Sequence, residues 1–261
     1  MRYFRLYLHF IRFSFTKALQ FRFDFTFRII MDLVFHTLNL VFFRILFNHT
    51  TLIGDWNESQ VTLFVSSFIL FDGIYMTVFA TNAWWLPEHI NKGELDYYLT
   101  KPVSPLFFFS FKEFAANSLV NLLFGVAIFS WALTQLEFSF SFFQLILYIF
   151  LIINGTFLYF AMQLLMYLPT FWTQSPRGFD MLLHGLDPIL KYPISIQKYL
   201  MRTIFTFLVP LNIVLSYPAK IFFNEAPIQG VLIIFISTIL FWTFISWLWR
   251  TGIRQYSSAS S

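Results

Sequence analysis

The stretch FSFSFFQLILYIFLIINGTFLYFAMQLLMYL, from Phe138 to Leu168, contains no charged residue. A helix needs about 20 apolar residues to cross the hydrocarbon core of a membrane, so this run can span it even when tilted. The whole chain has the same character, with 58% hydrophobic, 23% aromatic and only 11% charged residues. Globular proteins have roughly 45–50% apolar and about 25% charged residues, so the composition predicts an integral membrane protein.

Five other segments have the length and hydropathy of a membrane-spanning helix. They are the runs Phe25–Phe47, Val61–Trp84, Phe111–Leu136, Tyr199–Tyr217 and Ile228–Trp249. The first of these contains several polar residues, and the segment near 200–217 is interrupted by Pro210. With Phe138–Leu168, the pattern predicts an all-α integral membrane protein with six transmembrane helices.

The distribution of basic residues tests this topology independently, because cytoplasmic loops of membrane proteins are enriched in Lys and Arg. With six spans and cytoplasmic N and C termini, the inner segments are 1–28, 85–112, 169–202 and 250–261. All of the 17 Lys and Arg residues except Arg44 and Lys220 fall in these segments. The outer loops carry the acidic residues Asp55, Glu58, Glu137 and Glu225. The number of spans and their orientation therefore support each other.

Residues 1–24 predict a separate amphipathic helix that lies in the cytoplasmic interface. Two sets recur at helical spacing on largely opposite faces, the polar set Arg2, Arg5, His9 and Arg12 and the apolar set Phe4, Leu8, Ile11 and Phe15. A signal peptide is disfavoured because charges break the apolar region. Residues 21–28 alternate strictly, which is typical of a strand, but a lone strand in a bilayer would have an unpaired backbone. We therefore predict a helix that runs into the first span.

Motifs of several protein classes are absent from the sequence. There is no cysteine, no Gly-x-x-x-x-Gly-Lys loop, no Gly-x-Ser-x-Gly and no His-Glu-x-x-His. Ser195-Ile-Gln-Lys198 matches a bare Ser-x-x-Lys pattern without its companion motifs. The basic residues are interleaved with apolar runs instead of forming a solvated cluster. We predict no enzymatic activity, no metal or cofactor bound by this chain and no nucleic-acid partner.

Polar residues within the predicted spans are candidates for a translocation pathway, because ionisable groups at membrane depth are costly. Asp72 lies near the middle of the second span, Asp32 in the first and Gln163 in the fourth. The residues leave two alternatives open. These side chains line a pathway or take part in proton coupling, or they form ion pairs and hydrogen bonds between helices. The second alternative is also predicted for Asn121 and Asn154.

The inner segment 86–105 has a distinct pattern. It starts with a proline, contains Leu95 and Leu99 four residues apart, and ends with two further prolines. This pattern predicts a short amphipathic helix on the cytoplasmic face that presents Glu94 and Asp96 to water. A solvated turn is the alternative.

Three stretches of the chain, in order, resemble bacterial ABC transporter type-2 permeases. The first is Gly93-Glu-Leu-Asp-Tyr-Tyr-Leu-Thr-Lys-Pro-Val-Ser-Pro105, which is similar to a family pattern ending in Leu-x-x-Pro-x-x-Pro. The second combines Lys191-Tyr-Pro-Ile-Ser, Arg202-Thr-Ile-Phe-Thr-Phe-Leu-Val-Pro210 and Tyr217-Pro-Ala219. The third is the Tyr-Ser-Ser-Ala-Ser-Ser ending at 256–261. Together they extend from the second span to the end of the chain.

The resemblance implies the transmembrane permease subunit of an ABC exporter in the bacterial cytoplasmic (inner) membrane. The segment 86–105 would contain a coupling helix that docks on an ATPase subunit, and residues 1–24 would be the connecting helix beside it. The implied contact set is Glu88, Gly93, Glu94, Leu95, Asp96, Leu99 and Lys101. Residues 25–261 would be the transmembrane domain, with a re-entrant outer hairpin at 218–228 between the fifth and sixth helices.

The same resemblance implies partners. Two ATPase subunits would bind ATP and Mg, a second identical or different permease would complete the pathway, and membrane lipids would surround it. An ion- or proton-driven carrier, or a membrane scaffold that works without an ATPase, is the alternative. The segment 93–105 favours the ABC permease, because such a carrier has no need of it. A membrane-embedded enzyme is disfavoured by the lack of clustered polar residues.

Overall fold

A computed structural model of the chain describes residues 2–136, 140–175, 181, 185, 211–223 and 228–256. These residues are almost entirely helical. The helices are α1 (Arg2–Gln20), α2 (Arg22–Phe47), α3 (Glu58–Tyr75), α4 (Thr81–Asn91), α5 (Leu95–Leu99), α6 (Pro105–Phe111), α7 (Leu119–Thr134), α8 (Phe142–Tyr167), α9 (Thr170–Thr173), α10 (Leu211–Ile221) and α11 (Ile228–Gln255). A π turn, Met76–Ala80, joins α3 to α4, and a 3-10 turn, Ala116–Ser118, precedes α7.

Five segments within the described ranges are long and apolar enough to cross a membrane. They are Arg22–Phe47, Glu58–Asn91, Ala116–Thr134, Phe142–Thr173 and Gln229–Gln255. They correspond to the predicted first, second, third, fourth and sixth spans, so the all-α membrane fold is confirmed. The predicted fifth span, Tyr199–Tyr217, lies largely outside the described residues, and only its last part belongs to α10.

Helices α3 and α4 form one continuous helix at the centre of the molecule. Helix α3 packs against α2, α7, α8 and α10. Its side chains are buried around most of its circumference, as Leu63, Phe64 and Ile69 illustrate with at most 1% exposure. A helix that is buried on all sides has no polar face, which explains why the second span lacks an amphipathic pattern.

Two glycines allow the backbones of α3 and α7 to approach closely. A Cβ atom on Gly73 would lie 2.8 Å from the backbone N and Cα of Leu122, and one on Gly125 would lie 3.0 Å from the backbone N of Leu70. Small residues at such crossings allow the van der Waals packing that holds membrane helices together. The contact therefore fixes α7 against the central helix.

Replacing Gly73 by Ala is expected to destabilise the protein by about 1–3 kcal/mol, because the added methyl group would overlap backbone atoms that cannot rotate away. Thermal unfolding in detergent measures this change. Gly185→Ala is the matched control, since a Cβ there would meet no described atom within 4 Å. Both positions are helical, so the gain in helix propensity is shared. Equal melting temperatures for the two variants would contradict the close contact.

The predicted third span, Phe111–Leu136, is wrong at its start, because residues 112–115 are not helical. The side-chain amide of Asn82 donates to the Glu113 carbonyl at 2.9 Å and accepts from its N–H at 3.0 Å. The Ala115 N–H donates to the carbonyl of Thr77, within the π turn, at 2.9 Å. The Phe114 N–H donates to Ser14 Oγ at 3.1 Å. These partners satisfy backbone N–H and carbonyl groups that the break in the helix leaves without intrahelical hydrogen bonds.

Two other spans begin at residues different from the predicted ones, and a side-chain cap defines each start. Asn57 and Gln60 form a reciprocal capping box, so the second span begins at Glu58 and not at Val61. Ser141 and Gln144 form the same arrangement, so the fourth begins at Phe142 and not at Phe138. Each box satisfies backbone N–H groups that a helix start leaves free. The first span starts at Arg22 and the sixth continues to Gln255, also beyond their predicted bounds.

The amino-terminal helix ends at Gln20, close to the predicted boundary at residue 24. Residues 22–28 are helical despite their alternating sequence, and Arg28 Nε donates to Asp24 Oδ2 at 2.8 Å across one helical turn. The prediction of a helix that continues into the first span is therefore confirmed, apart from a break at Phe21.

Helix α1 has three faces where the sequence predicted two. The predicted apolar face is largely exposed, with Phe4, Leu8 and Phe15 at 68%, 48% and 38%. The cationic face, including Arg5, is also exposed. A third face, made of Tyr3, Tyr7, Phe10 and Ser14, contacts the rest of the protein. Such a helix can contact lipid, water and protein at the same time.

Helix α10 continues through Pro218 to Ile221, so the predicted hairpin does not begin at residue 218. Residues 224–227 of that hairpin lie outside the described residues. Opposite α10, Gly155 of α8 leaves room for Val214, whose carbonyl oxygen would lie 3.1 Å from a Cβ at that glycine. Pro218 cannot donate a hydrogen bond to this carbonyl, so the helix accommodates the proline where α8 packs closely.

Candidate functional site

The segment between α4 and α5 turns sharply at Gly93. Helix α4 contains Pro87 and continues to Asn91, so the predicted helix does not start at that proline. Gly93 has a φ of 76°, and the Glu94 N–H donates to the His89 carbonyl at 3.0 Å. This left-handed conformation favours glycine. The turn leads into helix α5, a single turn in the segment for which a short helix was predicted.

A network of partly buried side chains holds this turn in place. The carboxylate of Glu94 contacts Nδ1 of His89, and the Nζ of Lys112 lies 3.1 Å from Nε2 of the same ring. Lys112 also donates to the hydroxyl of Tyr98. An ammonium group has only donors, so Nε2 accepts and Nδ1 carries the proton that is donated to Glu94. The network links α4, α5 and the segment after α6.

Burial sets the electrostatics of this network. It lowers the pKa of Lys112, because the charged amine is removed from water. The same cause raises the pKa of Tyr98 to about 12, with Glu94 adding to the shift. The ring of Tyr98 is only 6% exposed and lies against Phe108 and Phe109. The inner side of α5 is therefore a fixed part of the protein core.

The outer side of α5 is exposed and combines acidic with apolar groups. Asp96 is exposed, Tyr97 is 59% exposed and Leu99 is 38% exposed. Lys101 Nζ lies 4.1 Å from the centre of the Tyr97 ring. We call the exposed surface formed by Asp96, Tyr97 and Leu99 the α5 face. An exposed aromatic beside a carboxylate is a suitable anchor for a protein partner.

Tyr256, which follows the end of α11, lies close to α5. The hydroxyl of Tyr256 lies near the backbone of Leu95 and Asp96, and burial raises its pKa. The Phe171 ring of α9 lies 6.3 Å from the Tyr256 ring and 5.8 Å from the Trp249 ring. The ends of α4, α8 and α11 therefore meet on the side of the protein that carries α5.

Helix α1 lies along α6 and the segment that follows it. The ring of Tyr3 lies 4.6 Å from that of Phe107, and the ring of Phe10 lies 5.0 Å from that of Phe108. Beyond these rings, Lys17 Nζ lies 3.5 Å from a carboxylate oxygen of Glu113. Edge-to-face ring pairs of this kind contribute about 0.5–1.5 kcal/mol each beyond their burial. Helix α1 is thus joined to the same region as α5.

The polar residues within the spans lie between helices. Asp72 of α3 lies 3.3 Å from Nε2 of His36 of α2, and that histidine is 1% exposed. Asp32 accepts from Asn121 at 2.8 Å, which connects α2 to α7. Gln163 of α8 accepts from the hydroxyl of Tyr75. Each predicted pathway residue therefore has a partner on a neighbouring helix.

The predicted hydrogen bonds of two asparagines are also present. Asn121 donates to Asp32, and Asn154 accepts from Thr238 Oγ1 at 2.9 Å. No group of three or more metal-binding side chains is found within the described ranges.

Comparison with known proteins identifies the family. The sequence model described as ABC-2 family transporter protein matches residues 33–260. The chain belongs to the ABC-2 transporter family. No curated protein and no solved structure matches it significantly.

Membership of the ABC-2 family defines the general role. The chain is a multi-pass membrane protein and the permease component of an ABC transporter. Permeases of this family are transmembrane components that are typically not catalytic, and membership implies association with ABC ATPase partners. The resemblance found in the sequence is therefore confirmed.

The predicted contact residues of this ABC-2 permease differ in their burial and in their partners. Glu88 of α4 pairs with Lys92, which lies between the end of that helix and Gly93. Leu95 is 2% exposed, so it anchors α5 and offers no surface to a partner. Glu94 is held by His89, whereas Asp96 and Leu99 are free to meet another protein. The predicted set therefore contains both supporting and surface residues.

Sequence reasoning missed two parts of the site. Tyr97 provides the largest exposed side chain of the α5 face. In the sequence, the nearby acidic residues Glu94 and Asp96 were the feature that could have indicated its exposure. His89 and Lys112 form the supporting network, but they lie 23 residues apart in the sequence. No local pattern connects them, so only the folded chain brings them together.

Asp72 supports a prediction about the interior of the permease. We expect Asp72→Leu to destabilise the protein by about 1–3 kcal/mol, because His36 would lose its partner while its Nδ1 already has none. Asp72→Asn keeps a hydrogen-bonding oxygen and is expected to stay close to the parent protein. Thermal unfolding in detergent compares the two variants. Transport lost in Asp72→Asn with unchanged stability would instead support a direct role in the pathway.

Proposed function

We propose that this ABC-2 permease is the transmembrane subunit of an ABC exporter in a bacterial cytoplasmic membrane and that α5 docks on its ATPase. The observation that carries the proposal is the α5 face, an acidic and aromatic surface held in place by a partly buried network of side chains. A rigid exposed anchor is suited to transmitting movement from a partner. Helix α1 would be the connecting helix, since it lies beside α5 along α6.

A sixth membrane crossing is part of the proposal. Helix α9 follows the end of α8, whereas Gln144 at the beginning of α8 donates to the Ile221 carbonyl at 3.0 Å. The chain therefore leaves α8 on one side and has reached the opposite side by the end of α10. An additional crossing between them supports six spans with both termini in the cytoplasm. The predicted re-entrant hairpin at 218–228 would then lie on the outer side.

The proposed complex contains two ATPase subunits and two permeases, identical or different. The ATPases would bind ATP and Mg, since the sequence of this chain has no phosphate-binding loop. Closure of the ATPases on ATP would move α5. Because α4 and α3 form one helix, the movement would reach the centre of the permease and rock its helices about the shared pathway.

Reconstitution with and without the ATPase tests the proposal. The permease would be purified with a candidate Walker-A ATPase from the same genome, and both ATP hydrolysis and transport would be measured in liposomes. We expect transport only when both proteins and hydrolysable ATP are present. Solute movement driven by an ion gradient in liposomes that contain the permease alone would support the carrier alternative and contradict the proposal.

A further inference from the structure

A cavity of about 500 Å³ lies between α1 and the segment that follows α5. Its basic wall is formed by Arg5 and His9 of α1 together with Lys101. Its apolar wall includes Leu6, Val103 and Phe108. The cavity therefore combines groups that bind an anion with a surface that binds a hydrocarbon chain.

The basic groups of this cavity have no partner carboxylate among the described residues. Among the residues that the structure describes, none forms an ion pair with Arg5, His9 or Lys101. Elsewhere on the same side, Lys17 pairs with Glu113 and Lys92 pairs with Glu88. No acidic residue is part of the cavity wall. An anionic ligand would therefore meet uncompensated positive charge.

The position of the cavity on α1 indicates the kind of anion. The cationic face of α1 adjoins a face with exposed apolar residues, including Phe4 and Leu8. Amphipathic helices with this arrangement lie at the membrane surface, where Lys and Arg attract anionic lipids. A guanidinium group also matches the geometry of a phosphate oxygen pair. The surroundings favour a ligand that has both a phosphate and acyl chains.

We propose that this cavity binds the headgroup phosphate of an anionic phospholipid. Arg5 and Lys101 bind the phosphate oxygens, His9 donates a hydrogen bond, and the apolar wall contacts the first part of an acyl chain. This site goes beyond the proposed function, because it belongs to the permease itself and does not require ATPase docking.

The site also adjoins the α5 face. Lys101 contacts both the cavity and the ring of Tyr97. A phosphate that draws Lys101 into the cavity competes with this cation–π contact and changes how Tyr97 is presented. Lipid occupancy is thereby linked to the exposed surface of α5.

Native mass spectrometry of the full chain in neutral detergent tests the proposal. The probe is dioleoyl phosphatidylglycerol, with dioleoyl phosphatidylcholine as the zwitterionic comparison. We expect the anionic lipid to bind more tightly. Arg5→Gln and Lys101→Gln should each weaken that binding about fivefold. Arg12→Gln is the matched control, because Arg12 lies on the same exposed face of α1 but does not line the cavity.

Three outcomes would overturn the proposal. Equal losses in all three variants would indicate attraction to the general positive charge of α1. Displacement of the lipid by inorganic phosphate at similar concentration would indicate a site for free phosphate. Unchanged lipid binding together with weaker co-purification of the ATPase would assign the cavity to an acidic segment of that protein. Equal elution volumes and melting temperatures of the variants show that each remains folded.

Discussion

Gly93→Val is expected to lower association with the ATPase about tenfold or more. A residue other than glycine in the left-handed region costs roughly 1–2 kcal/mol, and a β-branched side chain costs more. At a φ of 76° this strain is relieved only if the turn opens. Opening would separate Glu94 from His89 and move the α5 face. A destabilisation of about 1.4 kcal/mol already reduces the docked conformation tenfold.

The measurements for this variant are co-purification with the ATPase and the ATP hydrolysis of the reconstituted complex. Gly93→Asn is the matched control, because asparagine tolerates the left-handed region better than other residues. We expect the Asn variant to keep most of its association. The yield and elution volume of both permeases in detergent report folding independently. Full association of the Val variant would show that docking does not depend on this turn.

The double variant Asp96→Lys/Tyr97→Ala is expected to reduce association with the ATPase by at least about tenfold. Exposed tyrosines that become buried at the centre of an interface commonly contribute 2 kcal/mol or more, and reversal of the neighbouring charge adds repulsion. The permease itself should be almost unaffected. It loses the exposed contact between Lys101 and Tyr97 and the edge-to-face contact between the Tyr97 and Tyr98 rings. Exposed contacts of these kinds contribute about 0.5–1.5 kcal/mol each.

The matched control for this surface is Asp55→Lys. Asp55 lies in the exposed loop between α2 and α3, at the opposite end of the central helix from α5. It undergoes the same charge reversal, so a general electrostatic effect would alter both proteins equally. We expect only the α5 variant to lose the ATPase in pull-down at constant ionic strength. If both variants retained it, α5 would not be the docking element.

Most of the architecture could be predicted because the membrane limits the possible solutions. An uncharged run such as 138–168 has few structural alternatives to a membrane-spanning helix. The positions of the basic residues indicate which loops face the cytoplasm. The break at 112–115 could not be predicted, because its hydrogen-bond partners are Ser14, Thr77 and Asn82. Those residues are remote in sequence, and a run of apolar residues around the break conceals it.

The sequence predicted where the candidate site lies, but not all of the residues that form it. The glycine and the acidic residues indicated a surface segment. Gly93 has a positive φ, a conformation that favours glycine. The spacing of Leu95 and Leu99 suggested one shared face, yet only Leu95 is buried. Helix α5 has a single turn, so periodicity has too few residues to define its faces. Its supporting groups come from α4 and from Lys112, beyond the reach of a local pattern.

The position of the central helix also has a consequence for biosynthesis. Three of the helices that surround α3, namely α7, α8 and α10, follow it in the chain. At about 5–20 residues per second, roughly 130 residues must be translated after α4 before α10 emerges, which takes about 6–26 seconds. Asp72 can meet His36 as soon as α3 has been made. Tyr75 and Ser67 meet Gln163 and Tyr148 only after α8 has been translated, and α8 ends about 76 residues after α4. Newly made α3 must therefore be sheltered from lipid, or tolerate it, until the later helices enter the bilayer.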